Sequence, residues 1–195
     1  MKDIEPSSSY RFTSADLKDF PDDGKRYEII DGELFVSKQP HFNHQLVCTL
    51  ILSRLHHWCE QVGSGQAVLA PGLIFAEDDD VAPDIVWVSS ARLGQILGSD
   101  GKLHAAPELI VEVLSQGRFN ERRDREAKLN LYSRRGVSEY WIVDWRHKNL
   151  QAFPQHEGRL VLSGTLEGSE TLTTPLLPGF TCHVDEFFGG VVSEY

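Results

Sequence analysis

Apolar positions along this chain change their period several times, and each change predicts an element. In RYEIIDGELFV two short β-type runs flank Asp31-Gly32, a pair that accepts the positive φ of a two-residue hairpin turn. From residue 44 to about 62, Leu46, Val47, Leu50, Ile51, Leu55, Trp58, Cys59 and Val62 recur at spacings of three and four, the period of one helix face. Cys59 lies on that stripe and reads as packing, whereas Cys48 falls off its main line. Apolar runs at 67–69, 73–76, 84–88 and 108–114 read as strands, with the acidic run Glu77-Asp78-Asp79-Asp80 as a turn between two of them. A second helix is predicted over about 119–135, with Asn120 placed to cap its start and Gly136 to end it. SEYWIVD follows as a strand rich in aromatic and β-branched residues. Short strands near 150–153 and 160–162 precede the closing segment LPGFTCHVDEFF.

The order hairpin, helix, several strands, helix, strand predicts an α/β (α+β) fold in which a mixed central β-sheet is flanked by the two helices. No repeat, low-complexity tract or long linker divides the chain. One domain is therefore expected over residues 11–195, after a loose tail at 1–10. With 195 residues and 41% hydrophobic content, that domain has enough material for a real core.

Composition narrows the setting. No apolar run approaches the roughly 18 residues of a membrane span, and MKDIEPSSSYRF lacks the apolar stretch of a secretory signal. Cys48, Cys59 and Cys182 are scattered and odd in number, which fits neither a disulfide framework nor a zinc spacing and points to a reducing cytoplasm. The net charge of -10 argues against a broad nucleic-acid-coating surface. Between residues 118 and 135, however, seven basic residues face three acidic ones, a local +4. Arg118, Arg122 and Arg123 in that stretch are candidate contacts to a phosphate backbone; the same run also reads as a solvated helix face with internal ion pairs.

The chemistry concentrates on three residues. Asp84 follows Pro83 at the head of DIVWV, and Glu112 lies inside the apolar run LIVEVL. A carboxylate among buried strand residues needs a partner, either an arginine or a shared cation. Two such carboxylates on neighbouring strands can build an oxygen-lined Mg²⁺ site, with Mn²⁺ as a substitute and waters completing the shell. Lys128 lies 16 residues after Glu112 on the following helix, where Asp124, Lys128, Leu131 and Tyr132 share one face. It reads either as an i,i+4 partner of Asp124 or as an amine reaching over the strand ends.

Pro83-Asp84, the strand glutamate Glu112 and this nearby lysine resemble the PD-(D/E)XK nuclease signature. More specifically, the chain resembles the Uma-type family of restriction endonucleases, also termed domain of unknown function 820. The stretches that carry the resemblance are RYEIIDGELFV, His44 with Gln45 at a helix start, VAPDIVWV, PELIVEVLS, DREAKLNLYSRRGVSEYWIVD and LPGFTCHVDEFF, spanning about residues 12–188. The resemblance implies a restriction-endonuclease-like core and a magnesium-dependent endonuclease acting on nucleic acid, DNA first, to leave a 5′-phosphate end. It implies catalytic roles for Asp84, Glu112 and Lys128, with Asp84, Glu112 and the Val113 carbonyl as metal ligands. A homodimer is one assembly state compatible with it. The chain departs from the superfamily pattern at Leu114, where the lysine two positions after the second carboxylate would stand, and Lys128 supplies the amine instead. It also carries Ser115-Gln116-Gly117-Arg118 where the family often has a Ser-Pro-Ser-Thr turn.

Four further residues are candidates for the cleft: His44, Glu33 from the hairpin, Asp124, and Glu108, which strand alternation sets on the face of Glu112. His41 and His44 form an H-x-x-H without a supporting acidic zinc ligand. Tyr132, Tyr140 and Trp141 read as core. The competing reading is a catalytically inactive nuclease-fold module, serving as a binding subunit of a defence or mobile-element system.

Overall fold

The computed structural model describes residues 10–192; most of the expected N-terminal tail, residues 1–9, lies outside them. The hairpin forms as expected. Strands β1 (Arg26–Ile30) and β2 (Glu33–Ser37) pair antiparallel across Asp31 and Gly32, whose φ values of 53° and 72° are the positive angles that this turn requires. Helix α1 (Phe42–Val62) follows, its first turn capped by the His41 ring and its end closed by Gly63 in the left-handed conformation. Next come β3 (Gln66–Leu69), β4 (Leu73–Ala76), β5 (Asp79–Val81), β6 (Ile85–Val88), a short helix α2 (Ser90–Ile96) and β7 (Leu109–Val113).

The helix over 118–135 is not uniform. It runs as α3 (Arg118–Arg122), a π-helical turn over Arg123–Lys128, then α4 (Leu129–Arg135). Gly136 ends it in the left-handed conformation, as the sequence indicated. Asn120 does not cap its start. That position belongs to Gly117, and the Asn120 amide donates to the Gln116 carbonyl from inside the first turn. The remaining strands are β8 (Glu139–Asp144), β9 (Asn149–His156), β10 (Arg159–Leu160), β11 (Gly164–Glu167), β12 (Thr171–Leu172) and β13 (Cys182–His183), followed by a 3-10 turn at Val184–Phe188.

The central sheet has the order β10-β9-β8-β7-β6-β3, with β11 also paired to β9; β7 and β8 are parallel and the other pairs antiparallel. A parallel pair needs a crossover, and the 118–135 helix provides it. A smaller sheet, β2-β1-β5-β4, brings the hairpin alongside.

Every residue of β7 and β8 is buried because both faces of the sheet are covered. Leu109, Val111, Trp141 and Val143 pack with α1 and the C-terminal segment, while Ile110, Tyr140 and Ile142 pack with Leu131, Tyr132 and Val137. Each fully buried aliphatic side chain contributes about 1.5–3 kcal/mol. Glu112 is the one charged residue within β7.

Two expectations need correction. The buried stripe of α1 runs through Asn43, His44, Val47, Cys48, Ile51, Leu55, Trp58 and Cys59, so Cys48 is buried and Leu46 is only half-buried. Polar residues rotate the stripe: Asn43 bonds the Val192 backbone and His44 reaches Asp84, which draws their side of the helix inward. The acidic run is not wholly a turn, since Asp79 and Asp80 are buried in β5. Asp79 is neutralised there by Arg134 and Arg135 and accepts the Asp31 N–H.

Candidate functional site

The β6–β7 register pairs Ile85 with Val111, and one step further sets Asp84 opposite Glu112, on one face of the sheet. Asp84 Oδ2 accepts the Val113 N–H at 2.9 Å and lies 3.2 Å from His44 Nε2, while Oδ1 pairs with Arg26 at 3.1 Å. Glu112 Oε1 takes Lys128 Nζ at 2.8 Å and the Tyr132 hydroxyl at 2.9 Å. Lys128 also reaches Glu28 Oε1, at 2.9 Å, and Asp124 Oδ1 lies further off at 3.9 Å. Glu28 accepts the Ala82 N–H at 3.0 Å and faces Arg123 at 3.4 Å; Arg123 binds Asp124 at 2.8 Å.

Four buried carboxylates (Glu28, Asp84, Glu112 and Asp124) therefore meet three fixed cations, Lys128, Arg123 and the half-buried Arg26. Burial would raise the Asp84 pKa, but His44 and Arg26 outweigh it and hold the carboxyl far below the ordinary range. Burial pushes Glu112 up to about 8; Asp84, Asp124 and Glu28 add to the rise and Lys128 opposes it. Burial likewise raises Asp124. For Lys128, burial would lower the pKa, and Glu112 and Glu28 reverse that into a rise.

Carboxyl oxygens are the donor type a hard divalent cation takes. Carboxyl groups outnumber fixed cations in this set, and among the described residues two buried oxygens, Asp124 Oδ2 and Glu28 Oε2, accept no hydrogen bond. A second potential ligand group overlaps it. His44, Cys48 and Asp84 each offer one ligand atom, all within 4.8 Å of one another.

Over Asp84 and His44 opens a cavity of about 360 Å³, lined also by Lys25, Arg26, Ser37, Lys38, Ser115 and Arg123 among others. Four of its lining residues are basic and one is acidic, a local reversal of the molecule's charge.

Of the residues singled out from sequence, Asp84, Glu112, Lys128, Asp124 and His44 converge here. Val113 takes part through its N–H. Glu33 does not converge, being exposed on β2. Glu108 is engaged elsewhere, binding the backbone and hydroxyl of Ser89 at the start of α2. Arg118 and Arg122 are exposed, the latter paired with Glu126 at 2.8 Å. Arg123 is not a surface residue: the π-helical turn carries it inward to Asp124 and Glu28. Lys128 and Asp124 are not a surface pair either, because both are fully buried. Sequence reasoning missed Glu28, although it stands among the apolar residues of RYEII as Glu112 does in LIVEVL. It also missed Arg26 and the Tyr132 hydroxyl.

A family model, Uma2, described as "Putative restriction endonuclease", matches residues 14–185. No curated protein matches the chain. Among solved structures, "a putative nuclease belonging to DUF820" from Anabaena variabilis ATCC 29413 superposes with a TM-score of 0.72 at 17% identity, over 91% of this chain and 97% of that one. At that identity the likeness establishes a shared restriction-endonuclease-like fold. The type IIG restriction endonuclease BpuSI aligns with a TM-score of 0.38 at 16% identity, over 72% of this chain and 15% of its own.

Proposed function

The chain belongs to the Uma2 family, and from that premise we propose that it is a metal-dependent endonuclease hydrolysing phosphodiester bonds of nucleic acid, DNA first. Asp84 and Glu112 would hold Mg²⁺, with Mn²⁺ as a substitute. One observation carries the reading: four buried carboxyl groups converge at Asp84, which lines a basic-rimmed cavity on a molecule of net charge -10. Burial and the neighbouring carboxylates push Glu112 up to about 8, and a bound cation would relieve the same crowding of negative charge.

A divalent cation here supplies Lewis-acid polarisation of the phosphoryl group and a water of lowered pKa. The protein's part is preorganisation. The Val113 N–H fixes Asp84, Lys128 and Tyr132 fix Glu112, and the Ala82 N–H fixes Glu28. Arg26 and Lys38 at the cavity draw in the phosphate backbone. Lys128, buried behind Glu112, would contribute a fixed positive charge that offsets charge developing in the transition state.

The test is cleavage of plasmid, linear duplex and single-stranded DNA and of RNA by metal-stripped protein, with Mg²⁺ and with Mn²⁺ restored. Metal-dependent strand breaks that vanish in Asp84→Asn and Glu112→Gln are expected. A wild type that cleaves none of these substrates overturns the proposal.

A second reading, a non-catalytic nucleic-acid-binding module, draws on the engagement of both Asp84 oxygens by Arg26, His44 and the Val113 N–H, and on the complete burial of Lys128. On that reading the protein retains nucleic acid without cutting it, and Asp84→Asn binds as well as wild type.

A further inference from the structure

Helix α1 brings to the site two side chains, His44 and Cys48, that offer nitrogen and sulfur in place of the oxygen donors Mg²⁺ takes. His44 and Cys48 stand one helical turn apart on its buried face, with Nδ1 of the ring 3.7 Å from the sulfur. The other ring nitrogen is 3.2 Å from Asp84 Oδ2. All three residues are at least nine-tenths buried. A thiol is a weak hydrogen-bonding group, and an apolar residue of the same size would serve packing equally well.

We propose that His44, Cys48 and Asp84 form a binding site for a borderline transition-metal ion, Zn²⁺ by ligand chemistry, that shares Asp84 with the magnesium position. Imidazole, thiolate and carboxylate are zinc donors, and three protein ligands with an open fourth position is a recurrent zinc arrangement. Mg²⁺ prefers oxygen alone, so the sulfur selects against it. Zinc ligands at about 2.0–2.3 Å stand about 3.5 Å apart around a tetrahedron. Taking one ligand atom from each residue, the three lie within 4.8 Å of one another. His44 and Asp84 line the 360 Å³ cavity, which gives the ion a route in from solvent. On binding, the Cys48 thiol releases its proton to water and the sulfur becomes the third donor.

Sharing Asp84 couples the two ions, because Zn²⁺ drawing on this carboxylate weakens its hold on Mg²⁺. That consequence rests on Asp84 being the magnesium ligand of the proposed nuclease; the His44–Cys48–Asp84 site does not.

Cobalt(II) titration of the metal-stripped protein tests the site without any activity assay, because a cobalt–thiolate bond absorbs in the near ultraviolet. The expected result is a saturable near-ultraviolet band that Zn²⁺ abolishes and millimolar Mg²⁺ does not. Cys48→Ser should lose the band while keeping the far-ultraviolet dichroism of wild type, and Cys59→Ser and Cys182→Ser should keep it. His44→Gln should weaken cobalt binding at least tenfold. Absence of the band in wild type, or its survival in Cys48→Ser, overturns the proposal. In a cleavage assay run in Mg²⁺, micromolar Zn²⁺ should inhibit wild type, and Cys48→Ser should resist relative to its own uninhibited rate. If wild type cuts nothing, the nuclease reading fails and the cobalt band still decides the metal site.

Discussion

Lys128 Nζ stands 2.9 Å from Glu28 Oε1, and neither side chain reaches solvent. The pair joins the first strand of the hairpin to the end of the π-helical turn, a hundred residues apart. Since the same amine also holds Glu112, it joins the small sheet to the central one. An ammonium buried between Glu28 and Glu112 is expensive to desolvate, and removing it strips Glu112 of its cation and leaves Glu28 to the more distant Arg123 at 3.4 Å.

Lys128→Ala is therefore expected to destabilise the metal-free protein by about 3–5 kcal/mol, far more than the loss of an exposed i,i+4 pair. Denaturant unfolding measures it. A change below about 1 kcal/mol would mean that the pair is as weak as a surface bridge. Glu112→Gln combined with Lys128→Met removes charge of both signs and should recover part of the loss.

Stability should also depend on pH through Glu112. Its folded pKa of about 8 lies above the ordinary 4.5, so between those values the folded chain holds a proton that the unfolded chain has lost. Folded stability contributed by that proton is complete below about pH 4.5 and falls as pH rises through about 8. Unfolding of metal-stripped protein across pH 5–8 should show the decline, and Glu112→Gln should flatten it. A wild-type profile that rises across that window would contradict the assignment.

Divalent cations should reverse the decline. Mn²⁺ is expected to raise the Tm of wild type at pH 8 by mass action, on the order of 2.7 kcal/mol of stabilisation at a hundred times Kd. Asp84→Asn and Glu112→Gln should each lose most of the rise. Equal responses in wild type and both variants would dissociate these carboxylates from the metal.

Asp79 supplies the control for a charged network without a part in the site. It is bound by Arg134, Arg135 and the Asp31 N–H, and it fastens the hairpin to α4. Asp79→Ala should cost about 1–3 kcal/mol of stability, because it removes the buried acceptor of two half-exposed arginines and of the Asp31 N–H. Cleavage per folded molecule should stay within about twofold of wild type, and a tenfold loss would implicate Asp79 in the site.

Much of this fold was legible in the chain. The Asp31-Gly32 hairpin, the three- and four-residue period before Gly63, the apolar strands and Gly136 at the helix end are local signals, set by backbone sterics and by the period of each element. Legible in the same way were Asp84 and Glu112, since a carboxylate inside an apolar strand is conspicuous wherever the strand goes. Glu33 and Glu108 passed the same test and failed in space. Glu33 faces water and Glu108 ties down the start of α2.

What the sequence determined by itself, then, was which segments form helix or strand and which residues carry chemistry, because periodicity and side-chain type are properties of the chain alone. Tertiary structure decided which of those residues meet. The π-helical turn carries Arg123 and Asp124 inward, and a local charge count over 118–135 cannot show that. Folding the hairpin over the sheet delivers Glu28 to Lys128, and α1 presents the buried face that holds His44 and Cys48 to Asp84. The physical reason is that the pKa and partners of a buried charge depend on which groups surround it after desolvation, and those groups come from segments that only the packed fold brings together.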